Sequence, residues 1–101
     1  MNAKKNILYI HGLNSDKNSK TFLTLKSHFL DFEWYTETFD LLNPSVATKQ
    51  IDDIIKRKNI TTIVASSLGA FYGLNIRNSL AKILINPCLI PSIELPKWVK
   101  I

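Results

Sequence analysis

With 101 residues, 46% hydrophobic and 21% charged, the chain has the composition of a globular domain with room for one core. Its net charge of +5 arises from basic residues scattered from Lys4 to Lys100, with Lys56-Arg57-Lys58 as the one cluster. That triplet ends a predicted helix and complements its dipole, so the charge does not point to nucleic acid. Cys88 is the one cysteine, which excludes an intrachain disulfide and suits a reducing cytoplasm; no apolar run has the length of a membrane span.

Ile7-Leu8-Tyr9-Ile10 reads as a first strand running directly into His11-Gly12-Leu13-Asn14-Ser15. Ser19 can cap a helix reaching about Leu30, with Phe22, Leu25, Phe29 and Leu30 on its core side and His28 on the solvated side. A short strand is predicted near Phe32 to Thr36, after which Asn43-Pro44 can open a second helix, because proline is tolerated at the first helical position. In that helix Ala47, Ile51, Ile54 and Ile55 recur at helical spacing, and Asp52 and Asp53 stand four residues before Lys56 and Arg57 as ordinary surface pairs. Asn59 marks the exit into a third strand, Ile60 to Val64. A third helix from Leu68 to about Ser79, a fourth strand from Ala81 to Ile85 and a proline-containing tail complete the chain.

Apolar strands alternating with helices predict an α/β fold in three layers, a mainly parallel four-stranded sheet covered by helices on both faces. No linker, repeat or low-complexity segment divides the sequence, so residues 1–101 are expected to form one domain. In such sheets ligands bind at the carboxyl ends of the strands, where both His11 and Ser67 fall.

Two motifs lie at those ends. Ala65-Ser66-Ser67-Leu68-Gly69 follows the β-branched run Thr61-Thr62-Ile63-Val64 and matches the nucleophile elbow G-x-S-x-G, with alanine at the first position. Strand and helix approach closely across such a turn, so the positions two before and two after the serine, Ala65 and Gly69, must be small. The turn His11-Gly12 after the first strand is where α/β-hydrolases build half of an oxyanion hole. The backbone N–H groups of Leu13 and Leu68 would then face the developing oxyanion, each donor worth about 2.7–4 kcal/mol in the transition state.

Ile7 to Ser15, the elbow with Phe71-Tyr72 after it, and Leu84-Ile85-Asn86-Pro87 together resemble the YqiA-like bacterial esterases, a compact branch of the α/β-hydrolase superfamily. The resemblance covers nearly the whole chain but only the first, nucleophile-bearing part of that family's fold. It implies strand order two-one-three-four and hydrolysis of a small carboxylic ester by a Ser-Asp-His triad, with Ser67 as nucleophile and His11-Gly12 supporting the oxyanion loop. It also implies a domain incomplete at its C-terminus, since the family's acid and histidine lie after later strands. No metal or cofactor is expected.

Other residues have plainer readings. His11 belongs to the loop, His28 to a solvated helix face, Asp16 and Glu94 to loops, and Cys88 to semi-buried packing; Trp34, Tyr35, Phe39, Phe71 and Tyr72 read as aromatic core packing before an acyl pocket. An esterase impaired by the lack of a triad histidine and aspartate is thus the leading expectation. The alternative is a non-catalytic α/β module, a truncated product or a subunit whose fourth-strand edge pairs with a second copy or a complementing chain. A phosphate-binding reading lacks support, because neither G-x-x-x-x-G-K-[ST] nor G-x-G-x-x-G occurs.

Overall fold

The computed structural model describes residues 5–12, 16–76 and 80–85. Within them the elements run β1 (Lys5–Ile10), α1 (Lys20–His28), β2 (Phe32–Tyr35), α2 (Pro44–Arg57), β3 (Thr62–Ser66), α3 (Leu68–Leu74) and β4 (Ala81–Ile85). The strands form one parallel sheet in the order β2-β1-β3-β4, as the sequence resemblance implied.

Alternation along β1 divides the core between the two faces of the sheet. Leu8 and Ile10 join Ile63, Ala65, Ile51 and Ile54 beneath α2 and α3, whereas Ile7 and Tyr9 join Val64 and Phe22 beneath α1. Burial on both faces explains why β1 and β3 read as unbroken apolar runs. The α2 stripe falls as expected, with Ala47, Ile51 and Ile54 buried and Ile55 packed at the margin.

The α1 stripe differs from its expectation. Phe22 is its one buried residue, and the helix stops at His28, leaving Phe29 half exposed and Leu30 71% exposed. Phe29 is used through its carbonyl, which accepts the Trp34 indole N–H at 2.9 Å, so the exit of α1 is held to β2 by a polar contact.

Strand β3 starts two residues later than the apolar pattern suggests and extends to Ser66. Asn59 adopts a left-handed φ of 50°, and the Ile60 N–H returns to the Ile55 carbonyl at 3.2 Å, a Schellman-type closure of α2 that consumes residues 58–60 before pairing begins. Asn6 on β1 supplies its side-chain amide to the Lys58 carbonyl at 2.6 Å, fixing that exit against the sheet. Helix α3 ends at Leu74 with Asn75 as its C-cap, short of the predicted reach to Ser79; residues 77–79 lie outside the described part, as does the tail from Asn86.

Asn59→Val places a β-branched residue at positive φ and is expected to destabilise the fold by about 1–2 kcal/mol. Asn59→Gly is expected to be neutral or stabilising. Urea denaturation of the two variants beside the parent chain measures the difference.

Candidate active site

Ser67 occupies a one-residue turn between β3 and α3 with φ 52° and ψ −125°, an unusual conformation for a residue carrying a Cβ. None of the three glycines has positive φ, so the glycines here serve space rather than backbone freedom. A Cβ built on Gly69 would lie 2.3 Å from the His11 carbonyl oxygen and 2.5 Å from that of Ile10, so the first turn of α3 rests directly on the end of β1. One turn on, a Cβ at Gly73 would meet the Ala65 side chain at 3.2 Å. Ala65, fully buried, is therefore small because α3 leans on it, the steric requirement anticipated for the position two before the serine.

The turn is held on its β4 side by the Ser67 N–H, which donates to the Ile85 carbonyl at 3.0 Å. The Ala70 N–H returns to the Ser67 carbonyl at 3.0 Å and begins the helix. Among the described residues the Ser67 hydroxyl makes no hydrogen bond, and Leu68 N–H, at the first helical position, has no acceptor. Gly12 stands over the serine: a Cβ there would lie 2.9 Å from Ser67 Cβ and 3.4 Å from its Oγ. The H-G turn and the elbow, 55 residues apart in sequence, are thus in direct contact. Leu13, the other proposed oxyanion donor, lies outside the described residues.

His11 is 2% exposed and uses both ring nitrogens. Nε2 accepts the Phe39 backbone N–H at 2.8 Å, so that nitrogen carries no proton and Nδ1 donates its own to the Gly12 carbonyl at 2.8 Å. The ring thereby pins the end of β1 to the segment following β2, with the Phe39 ring packed 5.7 Å away. Neither nitrogen has a lone pair free to take a proton from Ser67. His28 ends α1, which runs antiparallel to the strands, and so lies toward the opposite end of the sheet from the elbow.

Tyr72 on α3 reaches the same segment and donates its hydroxyl to the Leu41 carbonyl at 2.5 Å. Burial, with the Asp40 charge in support, raises its pKa above the ordinary tyrosine value and keeps the phenol protonated. The stabilisation this gives is fully present below the ordinary value near 10 and is lost as pH rises through the raised one. Phe39 and Tyr72 are buried core residues, and Trp34 packs edge-on to Phe22 under α1, so these aromatics sit in the two cores. Asp16 is exposed, its carboxylate accepting from the Asn18 N–H in a local turn. Asp53 pairs with Arg57 at 2.7 Å on the exposed face of α2. Glu94 and Cys88 lie outside the described residues. Among those described, no group of acids, histidines or cysteines could hold a metal ion, and no helix is long and apolar enough to cross a membrane.

These contacts place a helix-starting serine in a positive-φ turn on a parallel sheet beside an H-G loop. The model of the Uncharacterised protein family UPF0227 matches residues 6–99. The chain belongs to that family. UPF0227 is the YqiA-like, esterase-like family, and the fold described above agrees with it. No curated protein matches the chain. In this UPF0227 member the contacts that fix the site beyond the two motifs, Phe39 N–H on His11 and Tyr72 on Leu41, span 28 and 31 residues. Neither has a local sequence signal.

Gly69→Ala forces α3 away from β1 and is expected to cost about 1–3 kcal/mol despite alanine's better helix propensity. Gly73→Ala, whose Cβ would meet the side chains of Ala65, Ile63 and Leu84 at 3.2–3.5 Å rather than backbone, is expected to cost clearly less than Gly69→Ala. Chemical denaturation of the pair separates a steric requirement at position 69 from a general intolerance of alanine in α3.

Proposed function

We propose that this chain is a serine-dependent carboxylic-ester hydrolase module with Ser67 as its nucleophile. The observation that carries the reading is the Ser67 backbone: φ 52° on a serine costs about 1–3 kcal/mol, and such strain concentrates where geometry serves chemistry. The turn projects Oγ from the carboxyl end of β3, beside Gly12. Attack on an ester carbonyl would form a tetrahedral oxyanion facing the Leu68 N–H, with the Leu13 N–H as second donor and His11-Gly12 shaping that loop. Collapse expels the alcohol and leaves an acyl-serine for water to hydrolyse. The fit is to a small ester without metal or cofactor, in a reducing cytoplasm.

The proton acceptor is the weak point of the site. With both His11 nitrogens engaged and His28 remote, no described residue serves as the base, and activity of the chain by itself is accordingly low. Intact-mass labelling with a fluorophosphonate probe tests the assignment. One adduct on the parent chain and none on Ser67→Ala is the expected result; equal labelling of both overturns it.

A second reading, a non-catalytic α/β module completed at the β4 edge by a second copy or another chain, is favoured by a different observation. Among the described residues β4 pairs only with β3, and Ile83 on it is 56% exposed. Ile83 and Ile85 continue into an apolar groove of about 510 Å³ on the α1 face, lined also by Val64, Trp34 and Phe29. An unpaired apolar edge of this kind favours strand addition. On this reading a folded chain fails to label, sediments as an oligomer or with a partner, and becomes monomeric on Ile83→Lys. A labelled monomer rules it out.

A further inference from the structure

The register of β3 leaves the elbow held unequally on its two sides. Toward β4 the ladder continues to Ser66, paired with Ile85, and the Ser67 N–H adds one more backbone bond. Toward β1 it stops earlier, at Ala65 opposite Ile10. Beyond that point the connection to β1 is made by a side chain. Tyr9, 1% exposed, brings its hydroxyl to 2.6 Å from Ser66 Oγ.

A third hydroxyl joins this contact. Ser19, the N-cap of α1, accepts the Phe22 N–H at 3.2 Å and donates its hydroxyl to the Tyr9 oxygen at 3.4 Å. The Tyr9 hydroxyl shares a hydrogen bond with Ser66, in which either oxygen can donate, giving the order Phe22 N–H, Ser19, Tyr9, Ser66. One chain of hydroxyls links the start of α1, the middle sheet strand and the residue immediately before the positive-φ turn. The Tyr9 ring is fixed independently by packing 5.5 Å from Phe22, so its hydroxyl is delivered to Ser66 by a side chain with little freedom.

We propose that Tyr9 is a positioning residue for the elbow: its hydroxyl, acting through Ser66, replaces the missing β1-side ladder bond and holds Ser67 in its positive-φ turn. This deepens the reading of Ser67 as a nucleophile, and in its catalytic consequence rests on that reading. The close packing of Gly12 and Gly69 demands the turn, the β4-side backbone bond ties one flank of it, and the Tyr9 hydroxyl is the hydrogen bond that ties the other. Tyr9→Phe removes the oxygen while keeping the ring on Phe22, so the core is retained and the elbow alone is released.

Residue-resolved amide hydrogen exchange tests the positioning without requiring activity. In Tyr9→Phe, exchange at Ser67 and Ala70 is expected to accelerate roughly tenfold, with Ile51 and Ile54 in α2 unchanged. Ser66→Ala is expected to reproduce the effect, and Tyr9→Phe with Ser66→Ala to add nothing further, since both remove one contact. Unchanged exchange at Ser67 and Ala70, or a uniform rise across the chain, overturns the proposal in favour of simple burial of a phenol. Fluorophosphonate kinetics supply the catalytic arm. The inactivation rate constant is expected to fall about tenfold or more in Tyr9→Phe with probe affinity unchanged, because a misplaced nucleophile loses rate rather than binding. Accelerated exchange confined to the elbow of a chain that never labels supports the positioning and overturns only the nucleophile assignment. An unaltered inactivation rate in a chain that does label overturns the positioning.

Discussion

The contact on which the site depends is the approach of α3 to the end of β1, where Gly69 lies against the carbonyls of Ile10 and His11. Because no side chain separates them, the helix can start immediately after Ser67, and the chain must reverse within a single residue. That reversal forces the positive φ on Ser67. Sheet pairing makes the approach rigid: β3 is bonded on both sides through Ala65, so the strain cannot be relieved by sliding the strand. Ala65 and Gly73 repeat the requirement one turn further along, where a second close contact sets the tilt of α3 on the sheet.

Around this contact the fold uses buried polar bonds where the sheet ladder has run out. The segment after β2 pairs with no strand among the described residues, yet it lies beside the H-G turn. His11 takes its Phe39 N–H and Tyr72 gives a proton to its Leu41 carbonyl, so β1 and α3 hold it from two sides. An unsatisfied buried amide or carbonyl costs about 1–3 kcal/mol, so these two side chains are needed as partners rather than as independent sources of stability. Tyr9 treats Ser66 in the same way. Two segments at one end of the sheet are thus fixed by three aromatic or imidazole side chains, the one after β2 by His11 and Tyr72 and the elbow by Tyr9.

Much of this was legible in the sequence. The strand and helix order, the α2 stripe of Ala47, Ile51 and Ile54, and the adjacency of small residues to Ser67 all follow from local pattern, because period and side-chain size are local properties. The end of α1 was not legible: Phe29 and Leu30 continue the apolar spacing, but among the described residues no element buries them, and burial depends on neighbours that periodicity does not encode. The start of β3 falls later than the pattern suggests because the bond that closes the αL turn at Asn59 takes up Ile60, a residue of high β propensity. At the site, the positions of Ser67, Gly12 and Gly69 could be read from motif spacing. The bonds that hold them could not, because Phe39 to His11 and Tyr9 to Ser66 join residues 28 and 57 apart.

His11 shows how the same residue type can be excluded from one role by its success in another. To act as a base its Nε2 would have to release the Phe39 amide, leaving a buried N–H without a partner at a cost of about 1–3 kcal/mol. That alone lowers the population of competent rings by one to two orders of magnitude. A proton on Nε2 would sever the same bond and release the segment that borders the site. Among the described residues, then, strand, helix and H-G loop set where the Ser67 hydroxyl and the Leu68 N–H stand, and His11 is committed to holding the loop.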